Sequence, residues 1–419
     1  MVGRKALNAW QQPLVRKGRW HGEANRYLPA ELLQALEGRG PAPLVCHLEA
    51  VSLTTQVRWC FKHIMSEFGL CVRPGPGVSI AAVASTVPEH CIDQRATRDI
   101  VLSIAPELRS HEALFLNTGI KKRYSCVPLE WHFESHGWAA RNRVFQDAAA
   151  DLLERVSREC IDLSGIDLDE IEAIVTVSTT GLAVPSLDAI LANRLGLPAT
   201  IERLPIFGLG CAGGVSGLAR AARMARSLPR GIVLLLVVEL CTINCRNTDH
   251  TIKNFISTAL FGDGAAALLL CRPSDGKALP RLVASGEHMW RRSEYMMGWS
   301  IEDDGFGVVL SPDIPKCARE ELRPAVDHFL ARHGLVLSDL DGIIMHPGGR
   351  KVLEAAQTAL ALPNDALYHA WDVLAEYGNM SSPTALFVLQ RTLSASASGL
   401  HLLAAFGSGF TVSLALLDL

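Results

Sequence analysis

The sequence repeats itself at a spacing of about 168 residues, and this repeat limits the fold more than any other feature of the 419-residue chain. Four pairs of segments correspond in the same order: GIDLDEIEAIVTVS at Gly165 with GLVLSDLDGIIMH at Gly334, the Gly-rich turn at Cys211 with the turn at Asn379, GIVLLLVVEL at Gly231 with GLHLLAAFGS at Gly399, and FGDG at Phe261 with FGSG at Phe406. The first three offsets are 169, 168 and 168 residues, and the last is 145. Repeats of 20–50 residues, which are typical of solenoids, are not visible. The pattern predicts a duplicated α/β half, with two similar sheets packed together.

Short apolar runs alternate with amphipathic stretches of helical length after residue 77. The runs that we interpret as buried strands are SIAAVAS (from Ser79), EAIVTVS (from Glu172), IVLLLVVE (from Ile232), AAALLL (from Ala265), GIIMH (from Gly342) and FTVSLALL (from Phe410). FQDAAADLLERVSREC (from Phe145) and AREELRPAVDHFLARHG (from Ala318) have helical periodicity. Strands that alternate with helices indicate an α/β fold with largely parallel sheets covered on both faces.

Composition excludes several classes of protein. The chain has 40 Lys and Arg against 43 Asp and Glu, so it lacks the basic charge of a nucleic-acid binder. Its longest apolar run, 232–238, is far shorter than the roughly 20 residues that a membrane span needs. Eleven cysteines without any CxxC pair, and a start without an apolar signal region, indicate a reduced cytoplasmic protein. Small molecules and other proteins remain as expected partners.

Cys211 is the first candidate for chemistry. It lies in GLGCAGG, between a short apolar run and a helix-like stretch, so glycines give the turn room for close approach. A cysteine at a helix N-terminus is expected to favour the thiolate. Two other interpretations stay open for this segment: a small buried structural cysteine, and the dinucleotide-binding pattern GxGxxG over 208–213, which would indicate an NAD-dependent oxidoreductase.

His346 and Asn379 complete a set of three. His346 ends a strand and opens into a Gly turn, and Asn379 is equivalent to Cys211 by the repeat. A strand-end histidine is also a common structural residue, and an asparagine after glycine is also a helix N-cap. If the halves are related by a pseudo-twofold axis, however, the equivalent turns converge on one cavity. A thiolate, an imidazole and an amide there suit acyl transfer, with the two donors stabilising an oxyanion.

The residues around these motifs narrow the chemistry. None of the three motifs contains a carboxylate base, which favours making a carbanion by decarboxylation over abstracting a proton. The order Cys, His, Asn also occurs in papain-like proteases, but the CGxCW signature of those enzymes is absent around Cys211. His132 and His136 would form a metal-binding pair on a helix, yet no third ligand is apparent, so no metal site is predicted.

The motifs together resemble those of the type III polyketide synthases, relatives of chalcone synthase in the thiolase superfamily. The motifs that carry the resemblance are GIKKRY (from Gly119), STTGLAVPS (from Ser178), GCAGG around Cys211, ALFGDGAAA (from Ala259), HPGG at His346 and YGNMSS at Asn379. It extends from about Val78 to Leu419. The resemblance implies a homodimer of layered αβαβα thiolase-like subunits that use acyl-CoA and malonyl-CoA as substrates and need no metal or other cofactor.

The resemblance also implies roles for individual residues. Cys211 would carry the acyl group, and His346 and Asn379 would assist decarboxylation of malonyl-CoA. The residues expected to contact substrate are Phe261 (a gatekeeper), Gly262, Thr179, Thr180, Asn244, Trp299, Val308, Ser381 and Ser408. The residues expected to contact CoA are Gly348, Gly349, Arg350 and Lys351.

Several positions depart from the pattern of plant chalcone synthases. Val308 replaces a second gatekeeper Phe, Trp299 a cavity Gly, Asn244 a cavity Thr and Ser408 a loop Pro. The basic residues that hold CoA phosphates are replaced by Ser110, Ala113 and Asn117, so Arg350, Lys351 and the run Lys121–Arg123 are the candidate cations. The segment from Tyr295 to Pro315 most resembles bacterial alkylresorcinol and alkylpyrone synthases, which take long fatty acyl starters.

These observations predict an enzyme that extends a long-chain acyl-CoA with malonyl-CoA and cyclises the product to an alkylpyrone or alkylresorcinol. The alternatives are a ketoacyl synthase III-like enzyme of fatty-acid synthesis, the oxidoreductase, and a non-catalytic acyl-binding subunit. The predicted organisation is an extension and linker over 1–77, a half with the nucleophile over 78–279, and a half with His346 and Asn379 over 280–419. Residues 1–72 contain no Asp and carry a net charge of +4. They could be a docking arm, a cover on the CoA side, or residues translated ahead of the true start.

Overall fold

The computed structural model divides the chain into two units, Met1–Phe68 and Gly69–Leu419. It describes residues 77–273 and 278–419 fully, and in the first unit only the backbone of 15–16 and 19–20. There β1 (Val15–Arg16) and β2 (Arg19–Trp20) pair antiparallel. The predictions for residues 1–72 and for the linker up to residue 76 otherwise lie outside the described residues.

The second unit alternates strands and helices as predicted. Its strands are β3 (Val78–Thr86), β4 (His90–Asp93), β5 (Lys122–Ser125), β6 (Ala173–Ser178), β7 (Glu202–Phe207), β8 (Val233–Leu240), β9 (Asp263–Cys271), β10 (Arg281–Met289), β11 (Met297–Glu302), β12 (Gly305–Leu310), β13 (Gly342–Met345), β14 (Leu400–Gly407) and β15 (Thr411–Asp418). Its helices are α1 (Gln94–Ile104), α2 (Ala113–Leu116), α3 (Trp138–Ser164), α4 (Leu187–Leu195), α5 (Gly213–Ser227), α6 (Ile252–Leu260), α7 (Ile314–Ala331), α8 (Arg350–Ala359), α9 (Tyr368–Tyr377) and α10 (Thr384–Ser394).

Nine strands form one mixed sheet in the order β13-β14-β15-β10-β3-β9-β8-β6-β7. The prediction of largely parallel sheets is wrong: of its eight strand pairings, only β13–β14, β6–β7 and β6–β8 are parallel. The apolar runs did not reveal this, because a strand buried on both faces is apolar throughout whichever way its neighbour runs. The half-sheets are also joined, since Ser79 and Val78 of β3 pair with Arg281 and Leu282 of β10.

The structure confirms the duplication strand by strand. β6, β8, β9 and β3 of the first half correspond to β13, β14, β15 and β10 of the second. In the pair β6–β8, Ala173 lies opposite Val233, and in β13–β14 the equivalent Gly342 lies opposite His401. The outer strand of each half even carries a register shift at the same place, at Ile80/Ala82 in β3 and at Leu282/Ala284 in β10.

Alternate side chains of these strands face different helices, which gives the layered αβαβα arrangement. On β6, Ile174 packs in the core cluster formed by α3 and α4. Its neighbour Val175 packs in the cluster that contains α5, α10 and the second half-sheet, with α7 and α8 beyond it. Period-two alternation places consecutive residues on opposite faces, so α5 and α10 form a buried central layer. No helix in the described ranges is both long and apolar enough to cross a membrane.

Candidate active site

Cys211 lies in a short 3-10 turn, Gly210–Ala212, between edge strand β7 and helix α5. The glycines after it are required by packing from the other half. A Cβ on Gly213 would lie 2.6 Å from Ser382 Oγ, and one on Gly214 would lie 2.3 Å from the Ser382 carbonyl oxygen. Of the glycines in the dinucleotide-binding pattern, Gly210 and Gly213 therefore face Ser408 and Ser382 of the other half rather than a space for a pyrophosphate.

The thiol of Cys211 is neutral at physiological pH in this structure. Only 5% of the residue is exposed, and burial raises the pKa of the thiol to about 11, with a further contribution from the charge of Glu239. The side chains of Ser381 and Asn379 act in the opposite direction. Burial thus opposes the thiolate form that the helix N-terminus is expected to favour.

Asn379 faces Cys211 from the equivalent turn between α9 and α10. Its Oδ1 and Nδ2 lie 3.8 and 3.9 Å from the Cys211 sulfur. Two other bonds orient the amide, because Oδ1 accepts from Ser381 N at 2.8 Å and Nδ2 donates to Gly348 O at 3.1 Å. Nδ2 has two hydrogens, so one remains on the cavity side. Ser381 has a φ of 58°, a left-handed conformation that is strained for a residue with a Cβ.

His346 directly follows β13, where its N–H donates to Ala404 O at 2.8 Å. The residue is 2% exposed, and neither ring nitrogen has a hydrogen-bond partner. Burial lowers the pKa of the imidazole to about 3, so the ring is neutral. A buried imidazole without partners is costly, and its nitrogens are available to a ligand in the cavity.

These three side chains line one cavity of about 560 Å³. Ten further positions that the sequence predicted also line it, namely Phe261, Thr179, Trp299, Val308, Ser381, Ser408, Gly348, Gly349, Arg350 and Lys351. Most of the remaining wall is apolar, and the residues concerned include Leu114, Ile252, Ile256, Met297, Leu310 and Phe406. The volume is within the roughly 300–1,000 Å³ that is typical of ligand sites.

Three predicted substrate contacts do not line this cavity. Thr180 Oγ1 donates to Glu239 at 2.9 Å and accepts from Leu240 N. Asn244 Nδ2 donates to the Thr180 carbonyl oxygen at 2.9 Å. Gly262 is buried beside Phe261, where a Cβ would lie 2.7 Å from the Tyr377 carbonyl oxygen. Their polar groups are used within the protein, so we assign them to the support of the cavity.

Trp299 and Val308 form a fixed part of the wall. They lie opposite each other in the β11–β12 hairpin. The Trp299 indole donates to the Thr179 carbonyl oxygen at 3.0 Å and stacks on Phe306, with ring centroids 5.6 Å apart. These contacts hold the indole ring in place, so Trp299 sets the shape of this end of the cavity.

The sequence analysis overlooked Glu239, a fully buried carboxylate behind the Cys211 turn. It accepts hydrogen bonds from Thr179 N at 2.8 Å and Thr180 Oγ1 at 2.9 Å. Burial raises the pKa of this carboxyl to about 6. The signal that could have found it is a single acidic residue near the end of the apolar run IVLLLVVEL.

The predicted cation run Lys121–Arg123 does not reach the cavity lining. Arg123 is buried, and its guanidinium donates to Gln94 and to the carbonyl oxygens of Thr258, Ala259 and Phe261. It therefore braces the chain around Phe261. Lys253, which was not predicted, does line the cavity.

The expectation that no metal binds at His132 and His136 remains a prediction. The segment is a 3-10 turn, Leu129–Phe133, followed by extended chain rather than a helix. The His136 ring stacks on Trp131 with ring centroids 3.9 Å apart. Its Nε2 is hydrogen-bonded with the Trp131 carbonyl oxygen at 2.9 Å. Within the described residues no cluster of three metal-binding side chains occurs.

Comparisons with known proteins agree with this geometry. Residues 71–273 match the family model of the N-terminal domain of chalcone and stilbene synthases, and residues 281–418 match the model of the C-terminal domain. A putative chalcone synthase of Bacillus subtilis is 37% identical over 316 residues, covering 72% of this chain and 87% of that protein. The 1,3,6,8-tetrahydroxynaphthalene synthase of Streptomyces peucetius is 36% identical over 322 residues, covering 75% and 85%.

A more distant relative and a solved structure extend the comparison. The α-pyrone synthesis polyketide synthase-like Pks18 of Mycobacterium tuberculosis is 28% identical over 376 residues, covering 84% of this chain and 95% of that protein. The crystal structure of the tetrahydroxynaphthalene synthase of Streptomyces coelicolor, a bacterial type III polyketide synthase, superposes with a TM-score of 0.77 at 29% identity. It covers 81% of this chain and 99% of that one.

Proposed function

Because the chain belongs to the chalcone and stilbene synthase family and is a type III polyketide synthase, we propose that it extends a long-chain fatty acyl-CoA with malonyl-CoA. In this proposal the product is cyclised to an alkylpyrone or an alkylresorcinol. Cys211, His346 and Asn379 are the catalytic residues, and the reaction needs no metal or other cofactor.

The observation that carries the proposal is the cavity. It holds Cys211, His346 and Asn379, and most of the rest of its lining is aliphatic or aromatic. Burying an alkyl chain against such a wall contributes about 0.8 kcal/mol for each methylene removed from water. A starter with a long alkyl chain therefore fits the wall better than a short polar one. The name of the relative Pks18 refers to α-pyrone synthesis, which supports a pyrone as one of the proposed products.

The acylation step starts with a neutral Cys211 thiol and a neutral His346 ring. As the Cys211 sulfur attacks the thioester carbonyl of the starter, its proton moves to a ring nitrogen of His346, which has no other partner. The carbon–sulfur bond to CoA breaks, and CoA leaves as the thiol with that proton. The starter is then held as a thioester on Cys211.

Extension uses the two hydrogen-bond donors. When malonyl-CoA loses CO₂, the electron pair moves toward the thioester oxygen. The cavity-side hydrogen of Asn379 Nδ2 and the N–H of neutral His346 stabilise that oxygen. The α-carbon then attacks the acyl carbonyl on Cys211 and releases the thiolate. Cys211 is thus free to accept the extended chain for another cycle.

We also propose that the enzyme is a homodimer. β7 is an edge strand of the nine-stranded sheet, and an uncovered edge invites pairing with another chain. Large apolar side chains are also exposed: Phe207, the last residue of β7, is 51% exposed, and Val184, in the loop between β6 and α4, is 95% exposed. Size-exclusion chromatography with light scattering would give twice the mass of the 45.4 kDa chain.

The test is a series of saturated acyl-CoA starters of increasing length, incubated with malonyl-CoA and analysed by mass spectrometry. We expect long-chain starters to give cyclised products with the highest kcat/KM. Val308→Phe, which narrows the cavity, should shift the preference to shorter starters, and Cys211→Ala is the blank. Products from malonyl-CoA alone, with no gain from a long starter, would contradict the proposal.

A further inference from the structure

The catalytic cavity has a charged rim at its exposed end. Its innermost lining residues are buried, whereas Asn117, Lys253, Arg350 and Lys351 are exposed and mark the opening. Among the described residues that line the cavity, only the last three carry charge at pH 7, and no carboxylate lines it. The rim is therefore positive, and it faces the direction from which a substrate enters.

The three cations are not equivalent. Arg350 donates to Glu354 at 2.8 Å, and this ion pair within α8 reduces its free charge. In the described part of the chain, Lys253 and Lys351 have no carboxylate within ion-pair distance. Each is the second residue of a helix, Lys253 in α6 and Lys351 in α8. The positive ends of the two helix dipoles therefore add to their charge at the rim.

CoA thioesters carry a pyrophosphate and a ribose phosphate, which must remain near the opening while the thioester carbon reaches Cys211. On the α2 side the described residues that line the cavity are Leu114, Asn117 and Thr118, none of which is a cation that could hold them. Phosphate groups bind preferentially to lysines and helix N-termini, so the rim lysines are the fitting partners. Lys253 lies on the same side as α2, because α6 packs against α2 with the Phe115 and Phe255 rings 4.9 Å apart.

We propose that Lys253, together with Lys351, binds the phosphates of the CoA thioester and is the residue that compensates for the neutral α2 side. This inference rests on the proposed function only in that the substrates are CoA thioesters, and it does not depend on starter length. Lys253 contacts the carrier part of the substrate and not the reacting atoms, so its effect is on binding.

Lys253→Glu tests the proposal, and Lys121→Glu is the matched control. Both lysines are exposed and both variants change the net charge equally, but Lys121 does not line the cavity. Each variant is assayed with malonyl-CoA and with malonyl-N-acetylcysteamine, which lacks the phosphates, and free CoA binding is measured by calorimetry.

We expect Lys253→Glu to raise the KM for malonyl-CoA and the Kd for CoA about tenfold, the loss of one charge-assisted contact. Its kinetics with malonyl-N-acetylcysteamine should equal those of the wild type, and Lys253→Arg should restore CoA binding. An unchanged Kd for CoA, an equal effect of Lys121→Glu, or an equal loss with the phosphate-free substrate would each overturn the proposal. Because malonyl thioesters and CoA are the only probes, a failure of the long-chain starter proposal would leave these results unaffected.

Discussion

Replacing Glu239 by Gln should stabilise the protein at alkaline pH, because burial raises the pKa of this carboxyl and its ionisation in the folded protein therefore costs free energy. Ser382 Oγ lies 2.5 Å from Glu239 Oε1 and 2.7 Å from the Gly210 carbonyl oxygen. A hydroxyl has one hydrogen, and the carbonyl can only accept. When Ser382 donates to Gly210, the hydrogen between Ser382 and Glu239 must come from the carboxyl. A glutamine amide can donate the same bond at any pH.

The magnitude follows from the shift in pKa. Burial raises the pKa of Glu239 from 4.5 to about 6, so the folded state binds the proton more tightly than the unfolded state. The cost of ionisation therefore appears as the pH rises above 4.5 and is complete above 6. A shift of this size corresponds to about 2 kcal/mol of unfolding free energy. Glu239→Gln should remove that cost at pH 8 and make little difference at pH 4.5.

Urea unfolding at pH 5 and pH 8 measures the difference, with Glu294→Gln as a control at an exposed glutamate. We expect Glu239→Gln to gain about 1 kcal/mol relative to wild type between the two pH values, since part of the cost is already present at pH 5, and the control to show no such trend. At pH 8 iodoacetamide should also alkylate Cys211 faster in the Glu239→Gln variant than in the wild type. The charge of Glu239, which the variant lacks, raises the pKa of that thiol. If the effect of Glu239→Gln on stability is the same at both pH values, the pKa of Glu239 is not raised in the folded protein and the reasoning is refuted.

Two further predictions concern the roles of the site residues and the packing behind them. Cys211→Ala should abolish condensation but leave decarboxylation of malonyl-CoA measurable as CO₂ release. Asn379→Ala should slow that release about 10²-fold. Equal losses of CO₂ release in the two variants would contradict the assignment of these roles. Gly214→Ala should cost about 3 kcal/mol of unfolding free energy in urea, because its Cβ would meet the Ser382 carbonyl oxygen. Gly298→Ala, with nothing within 4 Å of the added carbon, should be close to neutral, and similar costs for the two variants would argue against the packing.

The fold could be predicted where it depends on local pattern and failed where it depends on strand pairing. The repeat offset correctly related β6 to β13 and β8 to β14, because each segment carries its own apolar run and glycine turn. Strand direction could not be read in the same way. The antiparallel pairing of β9 with β3 and the junction of β3 with β10 are contacts between distant segments whose side chains are apolar in either arrangement.

The candidate site shows the same division. Cys211 and His346 could be found because glycine-containing turns after strands mark them in the sequence, and Asn379 because the repeat makes it equivalent to Cys211. Glu239 and Lys253 could not, since the first is defined by hydroxyls from two other segments and the second by where a helix begins beside the opening. The family resemblance placed Thr180 and Asn244 in the cavity, but in the fold their polar groups bond to each other and to Glu239.

The duplicated halves are not interchangeable, and their difference explains how one ancestral turn can supply two roles. In the first half the turn carries Cys211 followed by two glycines, and in the second half it carries Asn379 followed by two serines. Because the glycines have no side chains, they do not collide with the serine segment. The Ser382 hydroxyl can then form hydrogen bonds with the Gly210 carbonyl oxygen and with Glu239. The 3.8 Å approach of the thiol to the amide is therefore a contact between halves. It depends on glycine in one half and serine in the other, so a change that made the two turns alike would separate the nucleophile from the hydrogen-bond donor even if each half kept its own fold.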